Sequence, residues 1–222
     1  MSSSRIPERI TDFHSHILPG VDDGVRTMEE SLSILQGMEK IGITDLWLTP
    51  HIMEDIPNTT AGLKERFDLL KEQNPTSIRL NLAAEYMIDP LFEERLEKGD
   101  LLPLGKDANH LLVETSYFNP PMDLWGLLER IRKKGYYPVL AHPERYVYME
   151  KRDYRRLTEM GVMLQLNIGS LSEVYGKEAY RKAKWMLRKK MYSLFGSDLH
   201  RRFMIDIIKE NLSNRRLPFA DL

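Results

Sequence analysis

Residues 10–24 read ITDFHSHILPGVDDG, a short apolar-rich run that leads into His14-Ser15-His16 and then into Asp22-Asp23-Gly24. Side chains alternate with a period of two along extended backbone, so both histidines of a His-x-His pair project to the same face and can reach one cation. By itself such a pair carries little weight, because a surface or core role is an equally good account of it. The rest of the chain changes that balance.

The pattern of an apolar run followed by a helical stretch repeats along the sequence. Strands are predicted at 10–13, 43–49, 78–84, 111–115, 137–141, 162–167 and 192–195. Helices are predicted near 28–41, 61–73, 89–98, 122–134, 151–160, 177–190 and 202–212. Leu32, Leu35, Met38 and Ile41 share one side of the first helix, and Thr27 with Glu30 forms a capping-box signature ahead of it. Alternating βα units make a parallel sheet, closed into a barrel or open and doubly wound; periodicity does not choose between them.

The polar residues do favour one arrangement. In a (β/α) barrel, chemistry sits at the carboxyl ends of the strands. Here the predicted strands run into Thr49-Pro50-His51, Ala84-Glu85-Tyr86, Val113-Glu114-Thr115, Ala141-His142-Pro143-Glu144-Arg145 and Gly196-Ser197-Asp198-Leu199-His200. Any one of these is more ordinarily a solvated strand terminus. Together they describe a shared site, because His110 alone among the 6 histidines falls elsewhere. It opens its strand about 13 Å from Glu114, at ~3.3 Å per residue, and is set aside.

The donors are nitrogen and oxygen only, which suits Mn, Fe(II), Zn or Mg. Their number exceeds the needs of one ion, so two or three ions are expected to share the site. Neighbouring divalent ions acidify water, neutralise phosphoryl oxygens and clamp the attacking and leaving oxygens, which makes phosphate-ester hydrolysis the expected chemistry. Arg145, three residues beyond His142, can offer a bidentate pair to a phosphate; the alternative is a solvated arginine.

Composition sets the outer limits. A chain of 222 residues with 42% apolar and 29% charged side chains is expected to form a single domain over 1–222. With 0 cysteines, disulfides, thiolate catalysis and thiolate metal sites are excluded, and a reducing compartment fits. The net charge of −1 gives no sequence-wide attraction to nucleic acid or anionic membrane. The start, MSSSRIPERITDF, has no signal-peptide core, and no run approaches the ~20 apolar residues of a membrane span, so a cytoplasmic protein is expected. The basic stretches 152–156 and 181–190 read as solvated helix faces, and Tyr146, Tyr148 and Tyr154 as rim or surface residues.

Taken in order, DFHSHILPGVDDG, TPH, AEY, VET, AHPERY and GSDLH resemble the polymerase and histidinol phosphatase (PHP) superfamily. Within it the pattern is similar to the bacterial capsule-biosynthesis protein-tyrosine phosphatases of the CpsB/CapC/YwqE type, over residues 10 to about 200. The resemblance implies an α/β fold, a distorted seven-stranded (β/α) TIM-like barrel, with three divalent ions, typically Mn(2+), and attack on phosphotyrosine by a metal-bridging hydroxide. Carried over by position, His14, His16, Glu85 and Asp198 hold one metal. Glu85 bridges to a second held by Glu114 and His142, and Asp23, His51 and His200 hold the third, with Asp22 placed to exchange with Asp23. Arg145 takes the phosphate-binding role and forms the catalytic set with His142 and Asp198. Where the family often continues through an Arg-Pro loop, this chain has Arg201-Arg202, and the second phosphate contact falls to Arg201 or Arg202, with Arg201 taken first.

The expected partner is a phosphotyrosine protein, a bacterial tyrosine kinase of polysaccharide export, with no nucleic acid and no membrane insertion; a homo-oligomer is left open. Two alternatives remain: a small-molecule phosphomonoesterase such as a histidinol-phosphatase, and a catalytically silent kinase-docking protein. The complete ligand set argues against the second.

Overall fold

In the computed structural model, which describes residues 9–212, 217, 218 and 222, every strand pairing is parallel. The strands are β1 (Thr11–Asp12), β2 (Asp45–Leu48), β3 (His51–Ile52), β4 (Arg79–Leu82), β5 (Glu85–Met87), β6 (His110–Glu114), β7 (Tyr137–Leu140), β8 (Met163–Asn167) and β9 (Leu194–Gly196). The helices are α1 (Met28–Lys40), α2 (Thr60–Gln73), α3 (Pro90–Lys98), α4 (Leu124–Lys133), α5 (Lys151–Glu159), α6 (Gly176–Arg188) and α7 (Met204–Leu212). The order β1-β2-β4 continues in a second group, β3-β5-β6-β7-β8-β9. Among the described residues no helix is long and apolar enough to cross a membrane.

Two predicted strands prove to be interrupted. The runs 43–49 and 78–84 stop at Leu48 and Leu82, and His51 and Glu85 lie not in loops but in the short strands β3 and β5, where they are register partners. Pro50 has no N–H to give the ladder. The connection is nevertheless kept, since the Ala83 N–H donates to the Leu48 carbonyl (2.9 Å) and the Glu85 N–H to that of Pro50 (3.1 Å). The sheet curls until the segment after β9 meets the segment after β1: the Asp198 N–H donates to the His14 carbonyl (2.8 Å) and the His16 N–H to that of Leu199 (3.0 Å). The result is a curled, barrel-like parallel sheet with helices outside it.

The helices start where side chains satisfy their first N–H groups. Thr27 accepts from the Glu30 N–H (3.2 Å) and Asp123 from that of Gly126 (3.0 Å), which moves the start of the predicted 122–134 helix to Leu124. Asp89, followed by Pro90, opens α3, and Gly99 closes it at φ 71°. On α1 the buried stripe is Ser31, Ile34, Leu35 and Met38, while Leu32 and Ile41, predicted to share it, flank it half-buried.

Period-two alternation then separates two environments. Leu111, Val113, Leu140, Leu164, Leu166 and Phe195 pack outward in the main core with the helices. Ala83, Leu112, Val139 and Leu194 form a separate small cluster with Phe13, Leu104 and Ala141, against which Met163 packs. Two or four residues along the same strand faces come Glu85, Glu114, Gln165, Asn167 and Asp198. An apolar layer thus underlies a polar one.

Gly196 lets β9 pass this layer, because a Cβ there would overlap the Cβ of His14 and press on Gln165. Gly196→Ala is expected to lower stability by about 1–3 kcal/mol in urea unfolding. Gly99→Ala, where nothing lies within 4 Å and only the positive φ is at issue, should cost about 1 kcal/mol.

Candidate metal centre

Three groups of donor atoms converge above the apolar layer: His14, His16, Glu85 and Asp198; His16, Asp23, His51 and His200; and His51, Glu85 and Glu114. In the first, all side chains are buried and the Nε2 atoms of His14 and His16 stand 2.9 Å apart. Both face Glu85 Oε2 (3.1 and 3.3 Å) and Asp198 Oδ1 (3.5 and 3.4 Å). Ligands about 2.0–2.2 Å from a cation stand roughly 3–3.6 Å apart, so this spacing is that of a coordination shell.

The orientation of the imidazoles fits a cation as well. His14 Nδ1 is tied to Gln165 Oε1 (2.7 Å), His16 Nδ1 to Asp22 Oδ2 (2.8 Å) and His200 Nδ1 to the Asp198 carbonyl (2.9 Å). Such partners fix the ring and leave Nε2 free to coordinate. Charge points the same way. Burial alone would raise the carboxylates, yet His14 and its neighbours hold Glu85 well below the usual range, and the histidines with Arg145 do the same for Asp198. A hydrogen bond from His200 is the main reason Asp23 falls to about 2. Burial and His51 oppose protonation of His16, but Asp22 and Glu85 lift it to about 10. Against the same cost of burial, Glu114 and Glu85 lift His51 to about 9. The cluster demands positive charge at its centre, which a divalent ion supplies.

The sequence-predicted residues are distributed as follows. The group His14, His16, Glu85 and Asp198 is the one expected by position. Asp23, His51 and His200 also come together, with His16 added. In the third group His51 stands where His142 was expected: His142 Nε2 is 3.0 Å from Glu85 Oε1 but 3.8 Å from Glu114 Oε2, whereas His51 Nδ1 reaches Glu114 at 3.2 Å. Asp22 and Asp23 differ in burial and partners. The Asp22 side chain is enclosed and accepts from His16, the His51 N–H (3.1 Å) and the Gly24 N–H (2.9 Å); Asp23 is exposed and faces His200 (3.3 Å). His110 lies outside these three groups, its ring tilted against that of Tyr137 at 5.3 Å.

The groups open into a cleft of about 480 Å³ walled by Tyr117, Tyr175, Arg145 and Arg201. Arg145 Nη1 donates to Asp198 Oδ2 (2.6 Å), and the guanidinium is held between the rings of Tyr117 (4.5 Å) and Tyr175 (4.1 Å). Arg201 lines the same cleft but spends Nη1 on the carbonyls of Asp23 (2.8 Å) and Gly24 (2.7 Å). Arg202 turns away to Ser33 on α1 (2.9 Å). His142 (φ 34°) and Asp198 (φ 50°) occupy left-handed backbone that non-glycine residues avoid, a form of strain that clusters at functional sites.

Several functional side chains escape a motif reading. Gln165 orients His14, Asn167 donates to Asp198 Oδ2 (2.9 Å), and Glu144 accepts from the Asn167 N–H (3.0 Å) and the Tyr192 hydroxyl (2.9 Å). A signal existed for the amides, since Gln165 and Asn167 are polar residues at alternate positions of an otherwise apolar run. None existed for Tyr117 and Tyr175, which lie in aperiodic loops.

Comparison with known proteins places this geometry. The tyrosine-protein phosphatase YwqE of Bacillus subtilis is 29% identical over 197 residues, covering 85% of this chain and 76% of the relative. The tyrosine-protein phosphatase CpsB of Streptococcus pneumoniae is 29% identical over 202 residues, 85% of this chain and 82% of the relative. A crystal structure described as a metal-dependent tyrosine phosphatase, from work on YwqE of B. subtilis and CpsB of S. pneumoniae, superposes with a TM-score of 0.81 at 27% identity, over 91% of this chain and 84% of that one. A lactonase from Listeria monocytogenes shares the fold alone, with a TM-score of 0.62 at 11% identity over 95% of this chain and 85% of the other. The profile for capsular polysaccharide synthesis proteins, CpsB/CapC, matches residues 10–204, and the chain belongs to that family.

Proposed function

We propose that this protein is a metal-dependent protein-tyrosine phosphatase, and that residues 1–222 form one domain whose sheet is a distorted seven-stranded (β/α) barrel, counting β2 with β3 and β4 with β5 as single bent strands. The observation that carries the reading is the convergence of three histidine–carboxylate groups directly beneath an arginine clamped by two tyrosines. The relatives named as tyrosine-protein phosphatases support it.

The residues fit three divalent ions, Mn(2+) foremost, with Fe, Zn and Mg compatible. His14, His16, Glu85 and Asp198 would hold one, Glu85, Glu114 and His142 a second, and Asp23, His51 and His200 the third, with His51 also within reach of Glu114. Bound there, the ions supply Lewis-acid neutralisation of phosphoryl oxygens and acidification of a nucleophilic water. Arg145 binds the phosphoryl oxygens, and Asp198 with the two tyrosine rings fixes it in advance so that no reorganisation is needed as charge develops. Arg201 supplies further positive charge at the mouth.

Leaving-group chemistry favours an aryl phosphate. As metal ligands Asp23, Asp198 and Glu85 would be deprotonated and engaged, and so not free to protonate a departing alkoxide. A tyrosine phenolate, with a pKa of about 10, leaves with far less help. The mouth also suits a protein: Phe118, Val147, Val174 and Phe203 are exposed on the loops that follow β6, β7, β8 and β9. We take the protein substrate to be a tyrosine kinase of polysaccharide export in the cytoplasm, a reading that rests on the CpsB/CapC membership.

Purified protein with Mn(2+) is expected to hydrolyse a phosphotyrosine peptide at least 100-fold faster, in kcat/KM, than a phosphoserine peptide or histidinol phosphate, and to lose activity in chelator. Full turnover by metal-stripped protein would sink the proposal. Arg145→Ala should lower kcat/KM by about 10²–10³, measured by steady-state kinetics on the same peptide. Metal loading should depend on pH. His16 and His51, raised to about 10 and about 9, carry protons in the ion-free protein at neutral pH and must lose them to coordinate. Apparent Mn(2+) affinity should therefore rise with pH, about tenfold per unit for each proton displaced, up to those values. Calorimetry in buffers of different ionisation enthalpy would count the protons.

A further inference from the structure

The basic stretches at 152–156 and 181–190 do not form the independent solvated faces expected of them. Parts of α5 and α6 border one open cleft of about 820 Å³, distinct from the metal centre and floored by Trp185 and Tyr154. Its charges are unequal. Arg152 meets Glu150 and Lys182 meets Glu178, each at 3.5 Å, while Lys151 lies over the Trp185 ring at 5.4 Å. Arg155, Arg181 and Arg188 are exposed on the cleft, and their guanidinium groups make no ion pair or hydrogen bond among the described residues. In a chain of net charge −1 this is a local excess of unspent cations.

Two short segments border both this cleft and the metal centre: in 145–149 Arg145 lines the metal centre and Val147 and Met149 the other cleft, and in 174–178 Val174 and Tyr175 line the first and Glu178 the second. The 145–149 segment is pinned from both sides, by the Val147 N–H donating to the Tyr117 carbonyl (2.9 Å) and by Lys182 Nζ donating to that of Tyr146 (2.7 Å). A polypeptide whose phosphotyrosine enters the metal cleft can cross this segment over the exposed Val147 and descend between α5 and α6. From Glu178 to Arg188 the path along α6 is about 15 Å at ~1.5 Å per residue. That length holds roughly four or five extended residues.

We propose that the α5–α6 cleft is a docking site for an acidic peptide segment next to the phosphotyrosine of the protein substrate, read chiefly by Arg155, Arg181 and Arg188. The inference rests on the phosphatase reading for its substrate, but the cleft's preference for carboxylates can be measured without turnover. A flat anionic membrane fits less well, because Glu150 and Glu178 are exposed at the end of the cleft nearest the metal centre. Nucleic acid would require a continuous phosphate-tracking stripe.

The test compares full-length, Mn-loaded wild type with the Arg155→Gln/Arg181→Gln/Arg188→Gln variant. Two phosphotyrosine peptides are used, identical except for five acidic or five neutral residues beside the tyrosine, with p-nitrophenyl phosphate as a substrate too small to reach the cleft. The wild type should favour the acidic peptide about tenfold through KM, with kcat little changed, and lose that preference as salt rises. The variant should lose the preference and keep p-nitrophenyl phosphate turnover, which also reports that it is folded. Fluorescence anisotropy with the unphosphorylated acidic peptide separates the two ideas. Variant-sensitive binding without any phosphatase activity would refute the proposed function and leave the docking site standing. Equal binding of that peptide by both proteins would overturn the docking site, as would variant-sensitive binding only to phosphatidylserine vesicles or to an oligonucleotide.

Discussion

Glu85 is buried completely, with its carboxylate 3.0–3.3 Å from ring nitrogens of His14, His16, His51 and His142. An anion removed from water carries a penalty of several kcal/mol unless positive charge and hydrogen bonds offset it. Four surrounding imidazoles provide that compensation only by becoming cationic themselves or by sharing a cation, and their mutual crowding favours the second. His14 and His16 cannot both be imidazolium at an Nε2–Nε2 distance of 2.9 Å without repulsion. The demand of one buried carboxylate therefore favours a cation shared among these rings. It also accounts for partners as different as Gln165, Asp22 and a backbone carbonyl, which hold the Nδ1 atoms of His14, His16 and His200.

That constraint propagates down the strands. Since side chains on one face recur every second residue, a strand that delivers a ligand at its carboxyl end must place its preceding inward residues beneath the centre, and these are the apolar Ala83, Leu112 and Leu194. They keep water from below the carboxylates, which strengthens every electrostatic interaction above. Space is limiting there, as Gly196 shows by passing so near His14 that no Cβ is tolerated. Strain is accepted at the same level, in the left-handed backbone of His142 and Asp198, whose side chains reach the centre from the turns that follow β7 and β9. Asp12 ties the two ends of the sheet together by accepting from the Ser197 N–H (2.8 Å) and the His14 N–H (3.2 Å), and its burial lifts it to about 6.

How much of this can be read from the amino-acid order follows from which features are periodic. Alternation and strand-end position identified the histidines and carboxylates of the centre, because each sits at a boundary between an apolar run and a turn. The same alternation missed the breaks at Pro50 and between Leu82 and Glu85, where apolar character continues but the ladder changes strand. The structure brings His51 near Asp23 and His200, and from β3 it also reaches Glu114, a contact that no spacing along the sequence signals. Gln165 and Asn167 carried a weak signal, two amides in a buried strand. Tyr117 and Tyr175 carried none, because loop geometry brings them to Arg145 from opposite sides of the cleft.

Charge was the property least visible in one dimension. Near-neutral totals concealed two positive regions with different origins. At the candidate metal centre the positive charge would be that of ions held by buried carboxylates, local, desolvated and little affected by salt. Between α5 and α6 it arises from arginines that each helix displays ordinarily, and it becomes a cleft only because β7 and β8 are adjacent in the sheet and set their following helices side by side. The first region has the depth to grip a single phosphoryl group; the second has the length and openness to meet a chain. With residues 145–149 among those that border both, the proposed docking site would couple recognition of a modified side chain to recognition of what lies beside it, Arg145 lining one cleft and Val147 the other.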